Sequence, residues 1–116
     1  MRVHQLFEDD AGVSHFRDVA LRWDDVRGAS QFARTYPAAG IIMRETTKEY
    51  DVARHPAPRR EYVVNLGGGV DIAAGDGESR HIAQGDAVML DDLKGNGLGA
   101  TFASGAMRAF TILAVE

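Results

Sequence analysis

His55 and Glu61 are the two side chains on which acid–base or metal chemistry would turn in this chain. An imidazole titrates near neutrality, and a carboxylate within hydrogen-bond reach can hold it charged or take its proton. The same two groups are also ligands for a divalent ion. Arg59 offers an anchor for an anionic substrate, and Asn65 a donor and an acceptor, within the same run of chain.

The element that must position them is an extended one. Residues 59–66 contain no glycine or proline, include Tyr62, Val63 and Val64, and are closed by three glycines at 67 to 69. That pattern predicts a β-strand running into a tight turn. Side chains alternate along a strand, so Glu61, Val63 and Asn65 share one face. Pro56 and Pro58 favour extended geometry before it, which would bring His55, Ala57 and Arg59 onto the Glu61 face. The expectation is a single strand face carrying His55, Arg59, Glu61 and Asn65, with Asp91, Asp92 and Asn96 near the rim of the pocket.

Most of the remaining chain also reads as short strands. Residues 3–7 form an apolar run ended by Glu8-Asp9-Asp10-Ala11-Gly12, and residues 14–23 predict a second strand with a slip of phase between Phe16 and Val19. Residues 24–33 read either as a short helix weakened by Gly28 or as an irregular loop. A strand is expected over 41–47, where Met43, Arg44 or Glu45 would supply a wall according to a register the sequence does not settle. Residues 70–74 and 80–82 flank an Asp76-Gly77 hairpin turn, a further strand spans 87–90, and the chain closes with a strand over 107–115. His4, His15 and His81 read as surface or half-buried histidines, and Trp23 is placed by the sequence in the core, the pocket or an interface, the core being the commonest place for a large aromatic on a strand. Many short strands with glycine-bearing turns predict an all-β fold.

The central stretch resembles the first motif of the cupin superfamily, H-x-H-x3-E-x6-G, with His55, Glu61 and Gly68 in place and Ala57 where the second histidine would stand. The strand led by Gly85-Asp86, with the turn that follows it, is similar to the second motif, where Leu98 occupies the last histidine position. The resemblance implies a double-stranded β-helix, or jelly roll, with 1–38 as N-terminal strands and loop and 39–116 as the barrel core. It implies His55 and Glu61 as catalytic groups, and Arg59, Asn65, Asp91, Asn96 and Leu98 as ligand-binding positions around a small molecule. Alanine and leucine coordinate nothing, so no complete metal centre is expected. The cofactor expectation is none beyond a weak divalent ion between His55 and Glu61. Three functions follow: a metal-independent isomerase or lyase acting beside a carbonyl, a noncatalytic ligand-binding or regulatory cupin, or a metalloenzyme that recruits Asp91, Asp92 or another histidine. A homodimer joined through edge strands is implied by the same resemblance.

Composition narrows the classes. At 116 residues, 45% apolar and 26% charged, the chain reads as one globular domain. There is no cysteine, which removes disulfides, thiolate metal sites and thiol nucleophiles. A formal charge of -4 and scattered cations disfavour nucleic acid as a partner. No stretch has the length and apolarity of a signal peptide or membrane span, so no membrane partner is expected and the cytoplasm is the expected compartment.

Overall fold

A computed structural model describes residues 2–46, 51–55, 60–91 and 101–115, with the backbone alone described for 51–55 and 101–103. Among these residues every regular element is a strand, as the sequence predicts. A six-stranded sheet is built from β1 (Val3–Glu8), β2 (Ser14–Asp18), β5 (Ala38–Thr46), β7 (Glu61–Gly68), β10 (Ala87–Asp91) and β12 (Met107–Ala114), in the spatial order β2-β1-β10-β7-β12-β5. A four-stranded sheet has the order β6-β11-β8-β9, from β6 (Asp51–His55), β8 (Val70–Ala73), β9 (Ser79–Ile82) and β11 (Thr101–Ser104). A small hairpin joins β3 (Asp25–Arg27) to β4 (Ser30–Phe32). β1 runs parallel to β10, whereas the other ladders are antiparallel. Both larger sheets are open, so each has edges.

One apolar core lies between the sheets. Leu6, Phe16, Val63, Val88, Met107 and Ala109 come from the six-stranded sheet, and Val70, Ile72, Ala74 and Ile82 from the other side. Burial follows the two-residue period: in β12, Met107, Ala109 and Thr111 are buried while Arg108 and Phe110 are exposed. The period identifies the inner face of each strand.

Polar staples fasten the two sheets together along one side. The backbone N–H of Gly75 donates to Ser14 Oγ (2.7 Å) and that of Asp76 to the Ser14 carbonyl (3.2 Å), tying the β8–β9 turn to β2. Arg80 of β9 donates to Asp18 (3.0 Å), Glu78 (2.6 Å) and Nδ1 of the fully buried His4 (3.2 Å). Arginine offers only donors, so Nδ1 accepts and the ring proton of His4 sits on Nε2, facing Asp86 (3.4 Å). His4 is therefore a core histidine and not the half-buried terminal residue expected from sequence.

Three expected elements differ. The strand over 14–23 stops at Asp18, whose carboxylate accepts from Arg2 (3.0 Å) and Arg80, and Trp23 is 48% exposed, outside the core. The segment 24–33 is neither helix nor loop but the β3–β4 hairpin, turned by Gly28 at φ 60. The central strand spans 61–68 instead of 59–66. Gly67 and Gly68 remain in the ladder beside Arg108 and Met107, with a register shift between Arg108 and Ala109.

Candidate functional site

β7 lies between β10 and β12, and its inner face is marked by the buried Val63 and Asn65. Glu61 shares that parity, so the central strand aims a half-buried carboxylate toward the interior at its first residue. Leu90 and Leu113 are its cross-strand neighbours. The next inner row is Val88, Val63, Thr111 and Ile42. Thr111 is 7% exposed, and its hydroxyl has no hydrogen-bond partner among the described residues. A buried hydroxyl without a partner is costly and points to a group that satisfies it. Glu61 and Thr111 are diagonal neighbours across two strands, about 7–8 Å apart at their backbones.

His55 is not on the same strand as Glu61, which corrects the expected geometry. It ends β6, opposite Thr101 of β11 in the four-stranded sheet, while Glu61 opens β7 in the six-stranded sheet. The reason is that the chain changes sheets between them. Six residues extend no further than about 20 Å, so positions 55 and 61 bracket that crossing at the same end of the two layers. The two positions therefore stand in different sheets and not along one strand.

Asn65 is occupied by the fold. It is fully buried, its Nδ2 donates to the carbonyls of Ile82 (3.0 Å) and Gly68 (3.1 Å), and its Oδ1 accepts from the Gly67 N–H (3.0 Å). Those three bonds hold the end of β7 against β9 and shape the glycine turn. Asp91 faces outward with Met89 and Tyr62, on the opposite side of the sheet from Leu90 and Glu61. Its oxygens accept from Gln5 (2.6 Å) and Arg60 (2.8 Å), so the structure does not bring it to the interior. Arg59, Asp92, Asn96 and Leu98 lie outside the described residues.

The register also settles the wall strand. Ile42, Arg44 and Thr46 of β5 share the inner parity of Thr111, Ala109 and Met107, whereas Met43 and Glu45 face out beside Phe110 and Arg108. Thr111 was missed by sequence reasoning, although alternation through Met107 and Ala109 would have placed a polar residue on the apolar face.

Other ionisable clusters are structural. His15 faces Asp9 through Nε2 (2.7 Å) and Asp76 through Nδ1 (2.8 Å), so both nitrogens must carry protons to serve both carboxylates. The hydrogen bond to Asp9 raises the His15 pKa, burial opposes it and the contact with Asp76 adds to the rise, and the bond from His15 lowers the pKa of Asp9. His81 pairs with its cross-strand neighbour Asp71 (2.7 Å) as an exposed histidine, in line with the sequence reading. Among the described residues no three His, Asp or Glu groups converge as ligands for a metal ion. At the far end of β7 from Glu61, a cleft of about 320 Å³ is lined by Gly67, Gly68, Ala106 and Met107 and flanked by the Arg108–Glu45 ion pair (3.1 Å).

The chain matches no family model, no curated protein and no solved structure. Among the described residues no helix is long and apolar enough to cross a membrane.

Proposed function

We propose that this chain is a small single-domain cupin that binds a small organic molecule between its two sheets. The ligand sits at the end where β6 gives way to β7, within reach of Glu61, Thr111 and His55. The observation that carries this reading is the buried, unpartnered Thr111 hydroxyl beside the inward-facing Glu61 on the central strands. Apolar Leu90, Leu113, Val63 and Ile42 around them supply the contact surface such sites use, with few polar groups to orient the ligand. The jelly-roll assignment draws support from the two-sheet, mainly antiparallel architecture and from the motif positions His55, Glu61, Gly68 and Gly85.

The chemistry open to such a site is proton transfer beside a carbonyl, as in an isomerase or lyase. Glu61 would take or return the proton, and His55, from the facing sheet, would serve the opposite side of the substrate. A cupin metal centre fits this donor set poorly, because Ala57 and Leu98 carry no donor atom and Asp91 is engaged on the outer face. No step is therefore assigned to a metal, and a divalent ion would bind weakly between His55 and Glu61.

A thermal-shift panel of small hydroxy acids, keto acids and neutral carbonyl compounds tests the site. A compound that stabilises the wild-type protein should lose that effect in Glu61→Gln and in Thr111→Val. Stabilisation undiminished in both variants would place the ligand elsewhere and refute the assignment.

A further inference from the structure

We propose that the molecule bound between the sheets is a small carboxylate with a carbonyl or hydroxyl a few bonds from its acid group, and that Arg44 of β5 holds the acid group. The inference rests on the ligand site at Glu61 and Thr111 and specifies what that site selects. Ile42 lies opposite Thr111, and Arg44 opposite Ala109. The register shifts of the β12 ladders fall between Arg108 and Ala109 and between Leu113 and Ala114, so the stretch from Ala109 to Leu113 is in regular register with both neighbours. Ala109 belongs to the core, and opposed residues share a face, so Arg44 leaves the sheet on its inner side.

Arg44, Thr111 and Glu61 form one diagonal across three strands. β5 and β7 both run antiparallel to β12 and therefore point the same way. Glu61 stands two positions before Val63, the β7 neighbour of Thr111, and Arg44 stands two positions after Ile42, its β5 neighbour. Thr111 thus lies midway, about 7–8 Å from each at the backbone. The diagonal runs from a cation through a buried hydroxyl to a carboxylate. Arg44 is the sole arginine or lysine among the described inner-face residues of the six-stranded sheet. A guanidinium binds a carboxylate through paired N–H donors. Glu61 repels a second carboxylate, so charge sets the direction of the ligand as well as its class. With the acid group at Arg44, a carbonyl or hydroxyl further along the molecule meets Thr111, and the carbon beside it lies toward Glu61.

Exposure agrees with this direction. The sheets are fastened along β2 and β9, and β5 is the opposite edge of the six-stranded sheet from β2. Ile42 is 51% exposed and Arg44 is exposed, although both share the inner side with Thr111, which is 7% exposed. Exposure falls that far across a single strand, so the space between the sheets is reached from the β5 edge. Arg44 stands at the entrance, where its charge stays hydrated until an anion arrives. The net charge of -4 gives the chain no general attraction for anions, so a preference for one must come from a local cation.

The test compares each acid with its neutral amide. Acetoacetate and levulinate, and acetoacetamide and levulinamide, are titrated into wild type and variants at fixed ionic strength, with Kd read by calorimetry and folding checked by circular dichroism. The acids should bind about ten-fold more tightly than the amides, the size expected of charged hydrogen bonds at a partly exposed site. Arg44→Gln should erase that preference by weakening the acids alone, and Arg44→Lys, which keeps the charge but not the fork, should retain part of it. Thr111→Val should weaken acid and amide alike and leave the preference intact. Equal binding of acid and amide to wild type, a preference that survives Arg44→Gln, or binding of none of the four compounds would overturn the carboxylate assignment. Equal binding that still falls in Thr111→Val would do so while leaving the site itself standing, whereas binding untouched by Thr111→Val would remove the site and the assignment together.

Discussion

Replacing Thr111 by Val should make the ligand-free protein more stable, which is unusual for a core substitution. The two side chains are nearly isosteric and both are β-branched, so packing and strand preference barely change. What changes is the hydroxyl. At 7% exposure, with no partner among the described residues, it loses its hydrogen bonds to water and gains none in return. Burial of an unpaired hydroxyl costs about 1–3 kcal/mol on protein scales, so removing it should add roughly 1–2 kcal/mol. For a chain of this size each kcal/mol moves the melting midpoint by about 4 °C. Urea unfolding of wild type and variant should show a higher midpoint at unchanged slope. With saturating ligand the gap should narrow or close, because the variant loses a hydrogen bond worth about 1 kcal/mol, or roughly five-fold in affinity. A variant destabilised by about 1 kcal/mol or more without ligand would show that the hydroxyl is already satisfied by the fold, and the argument for a ligand at Thr111 would fail.

Asn65→Ala should destabilise by about 3–5 kcal/mol, since it strands the Ile82 and Gly68 carbonyls and the Gly67 N–H; a loss under about 1 kcal/mol would restore Asn65 as a ligand group. Gly68→Ala should cost about 2 kcal/mol or more, because Gly68 adopts φ 75 and a Cβ there would collide with the Ala106 carbonyl. Gly69→Ala should cost less than about 1 kcal/mol, because the obstacle is the exposed His81 ring, which can swing away; equal losses at the two positions, read by urea unfolding, would contradict this. The His15 ring should titrate above 6.5 by NMR, and Asp9→Asn should bring it down. Because the folded His15 value is raised, its stabilisation is complete below 6.5 and fades as pH rises through the folded value. Because the folded Asp9 value is lowered, its stabilisation is complete above 3.8 and fades as pH falls through the folded value. His15→Gln should thus differ most from wild type between those limits, and a stability gap that keeps widening with alkalinity would be inconsistent with the clamp.

Strand positions were legible where short-range chemistry dictates them. The Asp76-Gly77 turn and its flanking strands follow from turn residues and alternation, and β12 from its apolar run. Long-range pairing was not. Nothing local in Pro56 or Pro58 says that the chain leaves one sheet after His55 and enters the other before Glu61. The inner and outer sides of β5 were equally hidden, because Ile41, Ile42 and Met43 are apolar on both parities and only the ladder with β12 assigns them. His4 reads as a polar residue near a chain terminus, and its burial depends on Arg80 and Asp86, which are distant in sequence. Asn65 and Asp91 were recognisable as polar groups of the right kind. Their partners, three backbone groups for one and Gln5 with Arg60 for the other, come from elsewhere in the fold.

The most direct test is native mass spectrometry of the untagged protein, as purified, alongside Glu61→Gln and His55→Ala. The account predicts a small organic adduct on the wild type that both substitutions deplete while the fold is kept. An adduct that persists through both, or a metal ion bound at full stoichiometry, would contradict it.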